Sequence, residues 1–130
     1  MKLSIIIPCF NEIKTIKKVL FNINKSYTGE KEIIIIDDDS RDGTKEFLKT
    51  IESTEDIKII FNEKNFGKGA CLKKGFREAS GEIILIQDAD LEYNPKDYNN
   101  LLLPFKEADA DVVYGTRFKG GRYNKVMYFT

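Results

Sequence analysis

Short apolar runs rich in β-branched residues recur along this chain, at residues 3–7, 32–36, 57–61, 83–86 and 111–114, with stretches of helical spacing between them. A continuous apolar run too short for a buried helix, bounded by turn residues, reads as a strand covered on both faces. Parallel strands must be joined by long crossovers, usually helices. The alternation therefore dictates an α/β fold: an open, mostly parallel sheet with right-handed crossovers and helices on both faces. Asn11 is placed to cap a first helix with Ile13, Ile16, Val19, Leu20 and Ile23 on one face. A second helix turns Phe47, Leu48 and Ile51 inward, and a third spans residues 67–79 despite Gly69 and Gly75. Asn94 and Pro95 suit the cap and first residue of a fourth helix, carrying Tyr98, Leu101, Leu102 and Phe105 and kinked or ended by Pro104. Phe66, Phe76, Tyr98 and Phe105 are expected in the core. Residues 119–130 suggest no element.

At 130 residues the chain has room for one domain with a core. Lys plus Arg, 21, balances Asp plus Glu, 21, which argues against a nucleic-acid partner held by bulk charge. No apolar run approaches membrane-spanning length. The apolar part of residues 1–8 is too short for a signal peptide, with Asn11 and Glu12 following at once. A reducing, cytoplasmic setting with Cys9 and Cys71 as free thiols is the simplest expectation.

Ligands of open α/β sheets bind beyond the carboxyl ends of the strands. Here three such ends are polar, at residues 8–12, 37–42 and 88–92. Asp88 and Asp90 alternate around the small Ala89, so both project to one side of an extended chain. At a separation of ~6 Å and an effective dielectric of ~20 they repel by roughly 3 kcal/mol, a cost that a divalent cation converts into binding. With no histidine and two widely separated cysteines, the site suits an oxygen-ligated Mg²⁺ or Mn²⁺ rather than zinc or iron. The bland alternative is a pair of solvated acids starting the next helix. No glycine-rich dinucleotide fingerprint follows the first strand, where Pro8-Cys9-Phe10-Asn11 stands, and Gly67-Lys68-Gly69 lacks the spacing of a P-loop. Neutralising a diphosphate then falls to a metal on Asp88 and Asp90. Arg117 fits either a phosphate ligand or a surface charge, and Lys68 either a phosphate contact or a solvated helix residue. The acids between Asp37 and Asp42 exceed what one helix cap needs.

Five stretches in order, SIIIPCFNE (4–12), IIIIDDDSRDGT (33–44), NFGKGACLKKGF (65–76), QDADLEYNP (87–95) and VVYGTRF (112–118), resemble the successive motifs of family-2 glycosyltransferases. The resemblance is to the branch of dolichyl-phosphate mannose synthases and polyprenyl-phosphate glycosyltransferases, and it covers nearly the whole chain. It implies the GT-A fold, the Rossmann-like sheet of nucleotide-diphospho-sugar transferases. It also implies that Pro8, Phe10 and Glu12 line a base and ribose pocket, that Asp38 accepts a hydrogen bond from a ring N–H of uracil or guanine, and that Asp37 supports it. Asp88 would lie near ribose and metal, Asp90 would ligate the metal on the diphosphate, and Glu92 stands where relatives often have a metal-contacting glutamine. Asp39 replaces the family's usual glycine, and Asp tolerates the left-handed backbone that a glycine there suggests.

The implied reaction moves a sugar from a UDP- or GDP-sugar with inversion, the Mg²⁺ or Mn²⁺ ion stabilising the departing diphosphate. A polyprenyl or dolichyl phosphate acceptor is already anionic and needs no general base, in keeping with a chain without histidine. Asp88, Asp90 and Arg117 are the candidate catalytic residues. By this reading residues 1–118 form the nucleotide-sugar-binding core, and residues 119–130 begin an acceptor-side segment of a larger enzyme on the cytoplasmic face of a membrane. An oligomer covering the open sheet edge is a further expectation. The alternatives are a donor-binding portion without turnover and a Mg²⁺-binding receiver-like signalling domain. The latter would need its acids where Cys9-Phe10 and Asn62-Glu63 stand.

Overall fold

A computed structural model describes residues 2–52 and 54–89, together with the backbone of three short strands beyond them. The elements are β1 (Leu3–Cys9), α1 (Ile16–Ser26), β2 (Lys31–Asp37), α2 (Thr44–Ile51), β3 (Ile57–Phe61), α3 (Lys68–Glu78), β4 (Ile83–Gln87), β5 (Tyr114–Gly115), β6 (Tyr123–Asn124) and β7 (Tyr128–Phe129). The main sheet runs β3-β2-β1-β4-β7, and its β1–β2, β2–β3, β1–β4 and β4–β7 pairings are all parallel. β1 is central, with Ile5 beside Ile33 on one side and Leu85 on the other.

Alternation along these strands explains why they are apolar throughout. Ile5, Ile7, Ile33, Ile35 and Leu85 pack in one buried cluster with Ile16, Val19, Leu20 and Ile23 of α1 and Leu48 of α2. Ile6, Ile34 and Ile36 point the other way and pack with Cys71 of α3. With helices on both faces, neither side of a strand can be polar without a partner. Phe47 and Ile51 of α2 lie partly buried against the first cluster, as their spacing predicts. Gly75, which weakens α3 as a helix, is what lets it lie flat on the sheet: a Cβ there would stand 2.5 Å from Ile6 Cγ2.

Three expectations are corrected. α1 starts at Ile16 behind Thr15, because Asn11 takes a left-handed backbone (φ 53°) and its side chain serves a neighbouring loop instead of capping a helix. Phe66 and Phe76 are not core residues; they are 47% and 46% exposed. The segment beyond residue 118, which shows no pattern in sequence, contributes β6 and β7. β7 takes the sheet position beside β4, whereas Tyr114 lies in β5, paired antiparallel with β6 in a separate ribbon. Two-residue strands carry no periodicity, so only their distant partners reveal them. The helix expected after Pro95, with Tyr98, Phe105 and Pro104, lies outside the described residues.

The amino ends of the strands are held by a buried charge. Glu32, beside Ser4 in the register, accepts hydrogen bonds from the Ser4 hydroxyl (2.6 Å) and from the amide (2.6 Å) and hydroxyl (2.8 Å) of Ser80, with Lys58 3.4 Å away. Burial pushes its pKa up, but the Ser4 and Ser80 donors and Lys2 outweigh burial and bring it down to about 2 from the ordinary 4.5. That difference is worth about 3 kcal/mol, present above the unfolded-state pKa and lost as pH falls towards the folded one. Urea denaturation of wild type and Glu32→Gln should therefore show a large stability gap at pH 6 that closes between pH 4.5 and 2; a gap constant with pH would refute the assignment. Gly75→Ala should cost about 1–3 kcal/mol by overpacking against Ile6, in spite of alanine's better helix propensity, and the same urea titration reads it.

Candidate functional site

The site forms where the carboxyl ends of β1, β2 and β4 meet the start of α3, and loop-to-loop hydrogen bonds hold it together. Three successive amides after β1 are captured by side chains after β2: Asn11 N–H donates to Ser40 Oγ (2.8 Å), Glu12 N–H to Thr44 Oγ1 (3.0 Å) and Ile13 N–H to Asp42 Oδ2 (3.2 Å). The Arg41 amide returns a bond to Asn11 Oδ1 (2.7 Å). The Thr15 hydroxyl donates to the Ala89 carbonyl (2.6 Å), which ties the β1 loop to the exit of β4. These bonds occupy backbone groups that would otherwise face solvent or go unpaired, so the loops hold a definite shape. Asp39 adopts the left-handed region (φ 64°), its carboxylate paired with Lys45 (2.9 Å) and Arg41 (3.0 Å). Lys45 first, then Arg41, hold that carboxyl below its ordinary pKa.

Asp38 is the hub. Its Oδ1 accepts from the Phe66 amide (2.9 Å) and Asn62 Nδ2 (2.9 Å), and its Oδ2 from the Gly67 amide (2.9 Å). Both amides precede α3, whose N-cap, Gly67 (φ 95°), has no capping side chain. Asp38 thus brings a carboxylate from another strand to the positive end of the helix. Burial raises its pKa, but the Phe66, Asn62 and Gly67 donors together outweigh that and keep it below the ordinary carboxylate value. Asp37 is wholly buried and accepts from the Ser40 amide (3.1 Å). Its Oδ1 has no hydrogen-bond partner among the described residues. It does not line the cavity.

That cavity, of about 250 Å³, is lined by Pro8, Cys9, Phe10, Glu12, Asp38, Lys68, Cys71, Asp88 and Ala89. Six residues singled out from the sequence, Pro8, Phe10, Glu12, Asp38, Lys68 and Asp88, therefore converge on one space. Asp90, Glu92 and Arg117 lie outside the described residues. Among the lining residues Glu12, Asp38 and Asp88 set three carboxylates against one ammonium, Lys68, whose Nζ stands 2.7 Å from Asp88 Oδ1. Phe10, 45% exposed, and Pro8 give an apolar platform. Such a wall repels an anion arriving alone and favours one that brings a cation. Among the described residues no three His, Cys, Asp or Glu side chains form a metal cluster. The chemistry of Asp88 nonetheless fits a cation, since its carboxylate already holds one.

Cys9 and Cys71, read from the sequence as free thiols, and Asn62 were not singled out there for the site. Cys71 follows Lys68 by one helical turn, the spacing that places both on the wall, and Asn62, just after β3, is a buried donor to Asp38. Burial, then the charge of Asp38, pushes the Cys71 thiol up to about 11, and burial, then Asp37, raises Cys9 further. Burial and the neighbouring carboxylates thus disfavour the thiolate form of both.

Removing the Asp38 carboxylate leaves two loop amides and a buried amide side chain without their acceptor. Asp38→Ala should cost about 2–4 kcal/mol in urea denaturation and speed hydrogen exchange at Phe66 and Gly67. A loss below 0.5 kcal/mol would show that water replaces it.

The pattern of the Glycosyl transferase family 2 domain matches residues 4–129. The chain is similar to the dolichol-phosphate mannosyltransferase of Pyrococcus furiosus, 35% identical over 131 residues, covering 99% of this chain and 37% of that protein. Among solved structures it resembles S. aureus TarS 1-349 in complex with UDP-GlcNAc, with a TM-score of 0.72, 26% identity, and 92% of this chain covered against 36% of that one. It also resembles the mannosyltransferase PcManGT from Pyrobaculum calidifontis in complex with GDP-Man and Mn²⁺, with a TM-score of 0.62, 29% identity, and 68% of this chain covered against 27% of that one. The chain thus spans well under half of each of these proteins.

Proposed function

This chain belongs to glycosyl transferase family 2, and on that premise we propose that its cavity binds the nucleoside diphosphate of a UDP- or GDP-sugar together with Mg²⁺ or Mn²⁺, for transfer of the sugar to a polyprenyl or dolichyl phosphate. The observation that carries this reading is the convergence of Pro8, Phe10, Glu12, Asp38, Lys68 and Asp88 on one cavity at the carboxyl ends of the strands, with carboxylates in excess. The ligands printed for the similar structures, UDP-GlcNAc in one and GDP-Man with Mn²⁺ in the other, support the donor class and the cation. The dolichol-phosphate mannosyltransferase relative supports the acceptor class. Family membership also sets aside the receiver-domain alternative.

Each residue has a task in this reading. Pro8 and Phe10 present an apolar surface to the base, and Glu12 faces the ribose. Asp38 accepts a ring N–H in place of the Cys71 thiol, a weak donor beside it. Asp37 braces the turn at Ser40 from behind. Asp88, with Asp90 and Glu92 following it in sequence, holds the metal, and Lys68 and Arg117 meet the diphosphate. A divalent cation bound there supplies positive charge where the departing diphosphate becomes more negative. The lipid phosphate oxygen forms a bond to the anomeric carbon as the bond to the diphosphate breaks, which inverts that carbon. The acceptor is already anionic, so the chain needs no general base for the step. Residues 1–118 supply the donor core and residues 119–130 begin the acceptor side. The pairing of Phe129 with Gln87 brings that segment beside the exit of β4, next to Asp88. Among the described residues no helix is long and apolar enough to cross a membrane. A cytoplasmic membrane face is where a lipid phosphate would meet this site. The greater length of the relatives favours a second reading, in which these residues bind donor and turnover needs others.

Calorimetric titration with UDP and GDP, each with Mn²⁺ and with EDTA, tests the assignment. One nucleotide should bind with Mn²⁺ and not with EDTA, and Asp88→Asn or Asp90→Ala should weaken it at least ~10-fold, about 1.4 kcal/mol. Binding indifferent to EDTA refutes the metal, and binding of neither nucleotide refutes the donor site.

A further inference from the structure

Lys68 opens α3 on the wall of the cavity, and its ammonium reaches across to the exit of β4, 2.7 Å from Asp88 Oδ1. The pair is half sheltered: the Lys68 side chain is 42% exposed and that of Asp88 16%. If Asp88 takes a metal, as the reading above has it, the ammonium and the divalent ion cannot share the same carboxylate edge, because two cations at contact distance repel strongly. Lys68 sits on Asp88 Oδ1, so a metal drawn to that edge competes with it for the carboxylate. The displaced ammonium sits on a flexible stem at a helix N-terminus, inside a cavity whose other charged lining residues, among the described ones, are Glu12 and Asp38. A diphosphate entering that cavity offers it a new anion and is itself repelled by the carboxylates.

We propose that Lys68 is a placeholder cation that couples entry of the metal to entry of the donor. In the free protein it occupies Asp88 and opposes binding of metal alone. When a diphosphate arrives, Lys68 swings from Asp88 to the phosphate oxygens, and the vacated carboxylate receives the metal. Each ligand removes the cost that the other would meet alone, so the coupling is reciprocal. This rests on the donor-site reading and adds a residue that regulates it: Lys68 does more than contact phosphate, because it sets the order in which charge enters the site.

Mn²⁺ binding, followed by electron paramagnetic resonance without any nucleotide, tests this directly. Lys68→Met, with Lys68→Gln as a second variant, should bind Mn²⁺ alone about fivefold more tightly than wild type, the strength of a good partly exposed ion pair. The gain in Mn²⁺ affinity on adding UDP or GDP should be smaller in both variants. Lys73→Met, which removes an exposed lysine further along α3, should behave as wild type. Unchanged or weaker Mn²⁺ binding in the Lys68 variants overturns the placeholder role, and so does equal tightening in Lys73→Met, which would indicate bulk charge. A wild-type protein that binds neither nucleotide with Mn²⁺ overturns the donor-site reading instead. Failure of every variant to bind Mn²⁺ overturns both.

Discussion

The carboxylate of Asp38 is the constraint on which the arrangement of the site depends. It leaves β2 next to the end of β1, where its own amide bonds to the Cys9 carbonyl (2.9 Å), and its oxygens take the amides that precede α3. Three segments distant in sequence are thereby brought to one point. Because α3 has no capping side chain of its own, its position at the cavity follows from Asp38, and with it the positions of Lys68 and Cys71. A buried carboxylate with several donors is costly to move, since any displacement leaves charge and amides unpaired together. The rigidity of the site is therefore local in origin and electrostatic in kind.

The other end of the sheet uses the same device. Glu32 gathers Ser4, Ser80 and Lys58 at the amino ends of the strands, as Asp38 gathers Phe66, Gly67 and Asn62 near the carboxyl ends. Between them lie isoleucines that can pack on either face but specify little by themselves. The apolar layers supply most of the driving force for folding, and the two carboxylates select one register and one seat for α3 among the ways those layers could pack. Gly75 completes that seat by letting the helix backbone approach Ile6 closely.

Charge also links the architecture to function. Among the described residues the wall sets three carboxylates against one ammonium, a charge balance that disfavours a lone anion more than an anion paired with a divalent ion. The Lys68–Asp88 pair partly neutralises the wall in the free protein. In the proposed function, the residues that would accept the donor's charges thus hold one another beforehand, which lowers the cost of keeping acids close together.

Much of this was legible from the sequence. Continuous apolar runs read as covered strands because both of their faces are buried, and the alternation with helices left little choice of sheet type. Residues at strand ends read as a site because parallel topology gathers those ends, and Pro8, Glu12, Asp38 and Asp88 do converge there. Asn11 read as a helix cap by its type, but only the neighbouring loop, with Ser40 and Arg41 in reach, decided that it would turn left-handed and serve as a strut. Phe66 and Phe76 read as core by hydrophobicity, yet the sheet face beneath α3 was already filled by isoleucines and Cys71. β6 and β7 had no signal at all, because a two-residue strand is defined by its partner. The sequence by itself determined the elements with their own periodicity and the chemistry at their ends. The tertiary structure alone decided the cross-loop hydrogen bonds, the seat of α3 and the meeting of Lys68 with Asp88, because each depends on atoms far apart in the chain and close only once the sheet has formed.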